Sequence, residues 1–319
     1  MRRGAIRLVC LEPGSTIRLE TRPARVPQPG RGEVVVRVEA SSVNPIDVRR
    51  AHGYGGRLLA LKGAGQFPRS LGNDVAGVIE AVGPGVDRRR AGERVFGVVP
   101  MGPAGAHASH VAVSTKWLRP AVPGRTSVEL AAFPYTFVTA WLALDAAGLS
   151  DAEARAAEVL VFGAGGGLGR LAIRLLVRRG ARVTAVCSTG DVDACRELGA
   201  ETVVDRTRLP LRDLPGLFDA TLNFGNWADQ AALIDHSKAG ARAHVTTVHP
   251  LLDDIDRLGF VGGAWRAWRD FRAMRSRAER FGARHRWITF APNEAALDDL
   301  VERLGADALR LPVGIVRPP

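Results

Sequence analysis

An apolar segment, Val159–Phe162, runs directly into a loop, Gly163–Gly169, in which five of seven residues are glycine. Leucines then recur at helical spacing, at Leu168, Leu171, Leu175 and Leu176. In register with the pattern GxGxxG, Ala164, Gly166 and Gly169 hold the positions for a tight turn, approach of the backbone to a pyrophosphate, and close helix packing. The segment predicts a dinucleotide site. The alternative is a glycine-rich turn that binds nothing.

From about residue 126 onward, apolar strands alternate with helical patterns, which is typical of βαβ units and a parallel sheet. Six strand candidates match the number that a doubly wound dinucleotide fold needs. They are Val159–Phe162, Arg182–Cys187, Thr202–Asp205, Asp219–Asn223, His244–Val248 and Trp287–Phe290. The sequence therefore predicts an α/β fold with a doubly wound, six-stranded parallel sheet.

The first half of the chain has a different pattern, with short alternating stretches separated by glycine and proline up to about Pro123. The stretches are Val34–Val38, Val75–Val82, Arg94–Val99 and His110–Val113. This pattern predicts a small, strongly turned β domain with a barrel-like arrangement.

The net charge of +11 comes from arginine, with 41 Arg against 3 Lys, so nucleic-acid binding has to be considered. The sequence has no zinc-finger spacing, no basic arm and no aromatic residues interleaved with arginine on strands. A host with a GC-rich genome also explains the preference for arginine over lysine. We therefore predict no nucleic-acid partner.

Three cysteines, Cys10, Cys187 and Cys195, form no CxxC pair and no Cys/His ligand spacing, so we expect free thiols in a reducing compartment. No apolar run approaches the roughly 20 residues that span a bilayer. The segment Met1–Cys10 lacks the apolar core of a secretory signal. The sequence predicts a cytoplasmic location.

The end of the second predicted strand bears on cofactor choice, because NAD enzymes usually place an acid there on the ribose hydroxyls. This chain has Ser188 and Thr189 at that point, with Arg206 nearby. These side chains suit a 2′-phosphate, which a carboxylate would repel. The sequence predicts NADPH rather than NADH. Asp191 is the competing candidate, since it follows only a few residues later.

Together these residues resemble the quinone-oxidoreductase branch of the medium-chain dehydrogenase/reductase superfamily over nearly the whole chain. Two further segments, Asp256–Gly259 and Arg286–Trp287, narrow the resemblance to the reticulon-interacting mitochondrial NADPH oxidoreductases. The other matching segments are Ser42–Val48, Leu71–Gly77, Gly92–Val95, Thr139–Trp141, the glycine loop, Ala185–Ser188 and Leu198–Ala200. The resemblance implies an oxidoreductase with an N-terminal GroES-like β-barrel domain and a Rossmann domain.

By this resemblance, residues 1–123 and 306–319 form the GroES-like catalytic domain and residues 124–305 form the NADPH-binding domain. Chains of the family normally continue beyond the strand that matches Leu311–Val316, whereas this sequence stops at Pro319. We expect the early end to alter the catalytic domain or to expose an edge that a partner subunit covers.

The resemblance also implies that Asn44 and Thr139 lie near the nicotinamide. Backbone around Val248 and Asn223–Gly225 is expected to line the same cleft. The predicted cofactor-binding residues are Asn44, Thr139, Ala164, Gly165, Gly166, Gly167, Leu168, Ser188, Thr189, Arg206, Asn223 and Val248.

Relatives that use catalytic zinc carry Cys at the position of Asn44 and His at that of Asn73, and amides are poor substitutes for those ligands. The four closely spaced cysteines of a structural zinc lobe are absent as well. Conceivable ligands that remain are His107, His110, Asp74 and Glu80. Scattered histidines in a β domain are more often surface or core residues, so we predict no metal site.

Without a Lewis acid, reduction of a simple ketone loses its main source of carbonyl polarisation. Hydride addition to an enone or quinone leaves an enolate that needs only modest stabilisation and a proton. The catalytic candidates are Tyr54 as proton donor and Asn44; alternatively, Tyr54 packs against the substrate or caps a loop. We predict an NADPH-dependent enone or quinone reductase. The alternatives are an enoyl-thioester reductase for CoA or carrier-protein substrates and a non-catalytic NADPH-binding sensor or scaffold.

Residues Ala264–Phe281 predict an amphipathic, basic helix. Its apolar stripe, which we expect to pack on the protein, consists of Trp265, Trp268, Phe271, Met274, Ala278 and Phe281. The arginines between them form a solvated face, or else they attract a phosphate-bearing substrate or an anionic lipid surface. The expected partners are a small-molecule substrate, an anionic surface contacted through residues 264–286 and, by resemblance, a second copy in a homodimer.

Overall fold

The computed structural model describes residues 4–61, 63–306 and 309. These residues form two compact units. The first unit contains residues up to 138, residues 255–259 and the described residues from 291 onward, and the second contains residues 139–254 and 260–290. The domain limits at residues 123 and 305, which the sequence predicts, stay predictions. Most of the predicted segment 306–319, including the strand Leu311–Val316, lies outside the described residues.

The regular elements alternate as the sequence pattern predicts, with strands first and βα units later. The strands are β1 (Ala5–Cys10), β2 (Leu19–Ala24), β3 (Glu33–Ala40), β4 (Asp74–Val82), β5 (Arg94–Val98), β6 (His110–Ser114), β7 (Leu118–Pro120), β8 (Glu158–Phe162), β9 (Arg182–Cys187), β10 (Thr202–Asp205), β11 (Ala220–Asn223), β12 (Ala243–Thr246) and β13 (Arg284–Trp287). The helices are α1 (Pro45–Ala51), α2 (Gly56–Ala60), α3 (Ser127–Ala131), α4 (Pro134–Ala146), α5 (Gly167–Arg178), α6 (Val192–Glu197), α7 (Gln230–Asp235), α8 (Leu251–Glu279) and α9 (Glu294–Gly305).

In the first unit, an antiparallel sheet has the strand order β6, β3, β4, β5, β7, and β1 pairs with β2. The four predicted β stretches correspond to β3, β4, β5 and β6. Their valines, among them Val34, Val75 and Val111, pack in one apolar cluster on the sheet. This cluster stabilises the sheet. The polar side chains considered below lie outside it, mostly near the ends of the strands.

In the second unit, a parallel sheet has the order β10, β9, β8, β11, β12, β13. This is the strand order of the doubly wound dinucleotide fold, so the predicted α/β class and six-stranded parallel sheet are confirmed. Val159, Leu160 and Val161 of β8 are fully buried, as expected for a central strand covered on both faces. The order reverses between β8 and β11, and the glycine loop follows β8 at this switch point.

The sixth predicted strand, Trp287–Phe290, is misplaced by three residues, since β13 spans Arg284–Trp287 and pairs with β12. It is an edge strand in which exposed Arg284 and Arg286 flank buried His285. The strand could not be recognised from apolar residues, because its buried position is a histidine and its outward positions are arginines. The fifth strand is also earlier than predicted and ends at Thr246.

Helix α8 is broken at Gly259, whose φ of 76° and ψ of 177° are not helical. Beyond this break, the side that packs on the second unit carries Ala267 and Ala278, both of which are buried. Phe271 contacts the rings of His285 and Trp287, with centroids 5.2 and 5.3 Å away. This part of the predicted stripe therefore packs on the protein as expected.

Trp265 and Trp268 do not pack as predicted, because they are 60% and 56% exposed. The small side chain of Ala267 occupies the buried side between them, which turns both indoles outward. The arginines Arg269 and Arg272 lie over the rings of Trp265 and Trp268, at 5.5 and 5.3 Å. We call Trp265, Trp268, Arg269 and Arg272 the α8 outer face.

One helical stretch, Ser127–Ala146, is long and apolar enough to cross a membrane, with a mean hydropathy of 1.3. The expectation that no apolar run approaches this length is therefore wrong. The stretch comprises α3 and α4, and 56% of it is buried inside the protein. Such burial is typical of a core helix, whose apolar side chains contact protein.

Candidate functional site

The glycine loop after β8 is shaped by close backbone contacts. Gly163 has a φ of +78°, and a Cβ added there would lie 2.8 Å from the nitrogen of Gly225. A Cβ at Gly169 would lie 2.6 Å from the Cα of Ala164, so the first turn of α5 sits directly on the loop. Gly163 and Ala164 both donate N–H hydrogen bonds to the carbonyl of Val186, at 3.1 Å. Only glycine fits the two tight positions.

The outer part of the loop is open. Gly166 is the N-cap of α5 and has no side-chain capping bond, and both Gly166 and Gly167 are exposed. Gly165 and Leu168 are half-buried, whereas Ala164 is fully buried and serves the turn. An uncapped helix N-terminus of this kind presents backbone N–H groups and the positive end of the helix dipole to an anion. The residues present therefore fit the pyrophosphate of a dinucleotide.

Asp191, the acid that competes with the NADPH assignment, is held by an arginine that the sequence argument missed. Arg170 donates from Nη2 to Asp191 Oδ1 at 2.8 Å and from Nε to the carbonyl of Gly165 at 2.7 Å. A Cβ on Gly165 would lie 2.5 Å from the Cβ of Asp191. The carboxylate thus braces the glycine loop as half of an ion pair. The position of Arg170, one turn after Gly166, places it beside the loop, but the sequence does not show which groups it contacts.

The structure brings Ser188 and Arg206 together at the end of β9, where Arg206 Nη2 donates to Ser188 Oγ at 3.4 Å. Thr189 does not join them. Its hydroxyl donates to Asp205 Oδ2 at 2.7 Å, and Thr207 donates its N–H to the other carboxylate oxygen at 2.9 Å. These hydrogen bonds hold the pKa of Asp205 below its usual range. Asp205 therefore orders the loop at this strand end, a role that sequence spacing alone did not show.

Three more predicted cofactor residues lie in the second unit. The buried Asn223 donates to the carbonyl of Asn226 at 2.7 Å and accepts from Gly225 N–H at 2.9 Å, so it shapes the turn that packs on the glycine loop. Val248 is half-buried and donates its N–H to Thr246 Oγ1 at 3.1 Å. Thr139 is buried on α4. Asn223 therefore fixes the backbone of the turn at Gly225 and Asn226.

In the first unit, the amide of Asn44 is locked by three neighbours. Its Nδ2 donates to Asp74 Oδ2 at 2.7 Å and to Ser42 Oγ at 3.0 Å, and its Oδ1 accepts from Thr136 at 3.2 Å. Asn44 is only 7% exposed. Asn44 also forms the capping box of α1 with Asp47, so its side chain is fixed from both sides of the helix start.

Asp74 is the most perturbed acid of this network. Burial raises its pKa to about 6, against the opposing effect of hydrogen bonds from Ser42, the Tyr135 N–H and Asn44. The Tyr135 N–H donates to Asp74 Oδ1 at 2.6 Å. Asp74 therefore changes protonation near neutral pH, and its proton state determines whether Asn44 faces a carboxylate or a neutral acid.

Asn73, which stands where zinc-dependent relatives carry His, is bound by the guanidinium of an arginine. It accepts from Arg50 Nη1 at 2.7 Å and donates to the carbonyl of Val99 at 2.9 Å. Among residues 4–61, 63–306 and 309, no three His, Cys, Asp or Glu side chains gather as a metal site. His107 contacts the carbonyl of Ser42. The donor set around Asn73 does not suit zinc.

His110 and Glu80 are the two remaining conceivable ligands. The Nε2 atom of His110 lies 3.0 Å from Oε2 of Glu80, within hydrogen-bond distance. Its second ring nitrogen lies 2.9 Å from Ser109 Oγ. Both nitrogens of the imidazole thus have protein partners. The contact links β6 to β4 across the intervening strand β3.

Tyr54 lies in the turn between α1 and α2 and is half-buried. The guanidinium of Arg49 lies 3.7 Å from the centre of its ring. Asp256 fixes the turn by accepting N–H hydrogen bonds from Gly55 at 2.6 Å and from Arg57 at 3.1 Å. The turn therefore holds the phenol ring under the guanidinium of Arg49 in a cation–π contact.

Tyr135 is a second phenol that the sequence argument missed. Burial raises its pKa, with the charge of Arg50 acting in the opposite direction. Its backbone is bound to Asp74. The chain has only two tyrosines, Tyr54 and Tyr135. Comparing these two would have been enough to find Tyr135 as a second candidate for a proton donor.

Comparison with known proteins agrees with this architecture. The family described as the alcohol dehydrogenase GroES-like domain matches residues 30–123. The mitochondrial NAD(P)H oxidoreductase RTN4IP1 of Mus musculus is 34% identical over 292 residues, which is 87% of this chain and 74% of the mouse protein. The 2-methylene-furan-3-one reductase of Solanum lycopersicum is 31% identical over 227 residues, which is 68% of this chain and 56% of that protein.

Among solved structures, the quinone oxidoreductase from Coxiella burnetii has a TM-score of 0.78 and 22% identity, covering 97% of this chain and 90% of its own. At that identity the likeness concerns the fold. It confirms a GroES-like domain joined to a Rossmann-type sheet. The resemblance drawn from the sequence motifs is also confirmed.

The cytoplasmic location predicted from the sequence is contradicted, because the mouse, zebrafish and human relatives are named as mitochondrial proteins. The prediction used free cysteines and the lack of a secretory signal as evidence. Those features discriminate against secretion, but they do not separate one reducing compartment from another.

Proposed function

Since the chain belongs to the medium-chain dehydrogenase/reductase superfamily and is an NAD(P)H oxidoreductase of that family, we propose that it reduces an activated double bond or a quinone. In this proposal it uses NADPH and no zinc. The tomato relative is named as a reductase of an enone, and the Coxiella structure as a quinone oxidoreductase. Both substrates accept hydride without metal activation of a carbonyl.

The hydrogen bond from Arg50 to Asn73 carries the zinc-independent part of the proposal. A guanidinium at 2.7 Å from the amide oxygen places a positive charge where a catalytic zinc would need a neutral or negative ligand. Asn44, the other amide at a zinc position, gives both N–H groups to Ser42 and Asp74. Neither position offers a free metal donor of the kind zinc prefers.

The preference for NADPH is supported by the contact between Arg206 and Ser188. A guanidinium with a hydroxyl beside it suits a phosphate monoester. Asp191, which would serve NADH if it were free, is paired with Arg170. The local charge at the end of β9 therefore favours a 2′-phosphate over two ribose hydroxyls.

When bound, the nicotinamide supplies hydride to the electron-poor carbon of the substrate. The roles proposed for the protein are orientation and proton supply. Asn44 is held rigidly by Asp74, Ser42 and Thr136, which suits a group that limits the orientation of the nicotinamide ring. Tyr54 is the proposed donor of the proton that the enolate or hydroquinone oxygen requires, with the guanidinium of Arg49 over its ring.

A substrate screen tests the function directly. Consumption of NADPH is followed at the nicotinamide absorbance with enones, quinones, enoyl thioesters and simple ketones, with and without a zinc chelator. We expect turnover of enones or quinones that the chelator does not change. Faster turnover of enoyl thioesters would favour the thioester reductase, and no turnover of any acceptor would favour a sensor or scaffold. Loss of activity with chelator, restored by zinc, contradicts the zinc-independent mechanism.

We also propose that the α8 outer face contacts an anionic lipid surface. Indole rings favour the membrane interface, and arginine is attracted to anionic head groups. Trp265 and Trp268 are exposed side by side, each with a guanidinium over its ring. A second copy of the chain is the alternative occupant, and the homodimer implied by the resemblance stays a prediction.

A further inference from the structure

A small cavity of about 20 Å³ in the first unit, partly open to solvent, carries two buried arginines in its wall. Arg50 and Arg69 are each only 7% exposed. Around them the wall is apolar or neutral, including Leu59, Met101 and Asn73. Among the described residues that line the cavity, none is acidic. Its charge is therefore positive.

The protein bonds of the two guanidinium groups go to neutral acceptors. Arg50 donates to the amide oxygen of Asn73, and Arg69 donates to the carbonyls of Ala64, at 3.1 Å, and of Arg50. Arg69 Nε is buried without a hydrogen-bond partner. Neither arginine forms an ion pair within the part of the chain that the structure describes.

The two buried acids of this unit are used elsewhere. Asp47 accepts N–H hydrogen bonds from Asn44 at 2.8 Å and from Gly72 at 2.9 Å, so each of its oxygens faces backbone. Asp74 is bound by Ser42, Asn44 and Tyr135. Asp47 contributes some attraction to Arg50, but it does not line the cavity.

A buried charge is costly unless it is paired. Burial lowers the pKa of both arginines, and the charge of Arg50 lowers that of Arg69 further. Two like charges beside an open volume are best stabilised by an anion that enters it. The planar guanidinium matches a two-oxygen anion, since it donates two parallel hydrogen bonds.

We propose that this cavity binds the carboxylate of a small-molecule substrate, with Arg50 as the main donor and Arg69 as the second positive charge. The enclosed space of about 20 Å³ has room for the carboxylate group alone, so the remainder of the acid lies outside it. Resting on the proposed reductase function, the inference names the substrate class: an enone or quinone that carries a carboxylate.

The test measures binding to the full chain by calorimetry without nicotinamide, so that its result does not depend on turnover. The probes are benzoylacrylate, an enone that carries a carboxylate, and its neutral carboxamide. We expect the acid to bind at least about tenfold more tightly than the amide, since a charged hydrogen bond contributes about 1.5 to 3 kcal/mol. Equal binding of acid and amide, or no binding of the acid, overturns the proposal.

Inorganic phosphate is the third probe. If phosphate binds and the carboxylate does not, the cavity recognises a phosphate and the proposed substrate class is wrong. If phosphate only competes weakly with benzoylacrylate, the carboxylate assignment stands. Reductase activity is then measured separately, so a cavity that binds the acid in an inactive protein would contradict the proposed function alone.

Variants of Arg50 test whether the acid binds in this cavity. Arg50→Gln is expected to weaken binding of the acid by about tenfold to a hundredfold, and Arg50→Lys, which keeps the charge but not the fork, by less. Arg22→Gln is the matched control, because Arg22 is an exposed arginine paired with Glu20. Unchanged binding of the acid by folded Arg50→Gln sinks the proposal. If Arg50→Gln fails to fold, two measurements still test the proposal. They are the binding of the acid to Arg50→Lys, and the comparison of acid and amide on the natural chain.

Discussion

Asp256 Oδ2 accepts a hydrogen bond from the N–H of Gly55 at 2.6 Å, although 201 positions separate the two residues in the chain. Its other oxygen accepts from the N–H of Arg57 at 3.1 Å. One carboxylate thus fixes the turn that carries Tyr54. This contact gives a physical reason for the Asp256–Gly259 motif, because the break in α8 at Gly259 ends the short segment that delivers the acid.

Replacing Asp256 with alanine is expected to loosen this turn. Loss of the two accepted hydrogen bonds should lower the free energy of unfolding by about 1 to 2 kcal/mol. Turnover should fall more than NADPH affinity, since Tyr54 is the proposed proton donor. Asp193→Ala is the control, because that side chain is 88% exposed. Wild-type turnover and melting temperature in Asp256→Ala would show that the turn does not depend on this contact.

Gly169→Ala tests the glycine loop. The new methyl would lie 2.6 Å from the Cα of Ala164, so α5 must move away from the loop. We expect NADPH binding, measured by fluorescence titration, to weaken at least about tenfold and stability to fall by roughly 1 to 3 kcal/mol. Gly190→Ala is the matched control, since a Cβ there meets no atom within 4 Å. Equal effects of the two substitutions contradict the packing argument.

Much of the second unit could be predicted from the sequence, because apolar strands, a glycine loop and helical leucines are local patterns. The strand order followed from them and from the fold that such patterns form. The contacts of Asp256 and Arg170 could not be predicted in this way, since each depends on where a distant or neighbouring backbone group lies in space. Trp265 was misjudged for a related reason, because helical periodicity finds the apolar residues but not the side on which Ala267 makes room for packing.

Ser188→Asp is expected to change cofactor preference. A carboxylate beside Arg206 would pair with the guanidinium and repel a 2′-phosphate. The KM for NADPH should rise at least about tenfold while that for NADH falls or stays equal, since a charged hydrogen bond contributes about 1.5 to 3 kcal/mol. Cofactor titrations of both nucleotides provide the measurement, with Asp193→Asn as a charge-changing control on an exposed side chain. An unaltered NADPH preference would remove Ser188 from the assignment.

Lipid binding by the α8 outer face is measured by sedimentation with vesicles of zwitterionic lipid, with or without anionic lipid. We expect binding only to anionic vesicles, and less of it at high salt, because the attraction to arginine is screened. Trp265→Ser combined with Trp268→Ser should reduce the bound fraction severalfold. The control is Leu217→Ser, which removes another half-exposed apolar side chain of the second unit. Concentration-dependent dimerisation that the double variant abolishes, without vesicle binding, would assign the face to a second copy instead.

Buried groups in the two units give pH effects of opposite sign. Burial lowers the pKa of His285 from 6.5 to about 4, so the unfolded chain takes up its proton first as pH falls. The free energy of unfolding should therefore decrease from pH 6.5 toward 4 on account of His285. The pKa of Asp74 is raised, to about 6 instead of 3.8, so its effect on stability has the opposite sign. As pH falls, the native state takes up this proton before the unfolded chain does. The stability that the proton adds is lost as pH rises through 6.

His285→Phe separates the two effects. Both ring nitrogens of His285 are buried without partners, and the ring packs against His244 and Phe271, so a phenyl ring retains the contacts and removes the unmet polar atoms. We expect the variant to gain about 1 to 3 kcal/mol and to lose less stability than the natural chain between pH 6 and 4, where the lowered pKa of His244 still opposes the effect of Asp74. In Asp74→Asn, the free energy of unfolding should decrease more steeply as pH falls, because the opposing effect of Asp74 is removed. Urea unfolding across this pH range measures both, and identical pH profiles in the variants and the natural chain would show that neither burial controls stability.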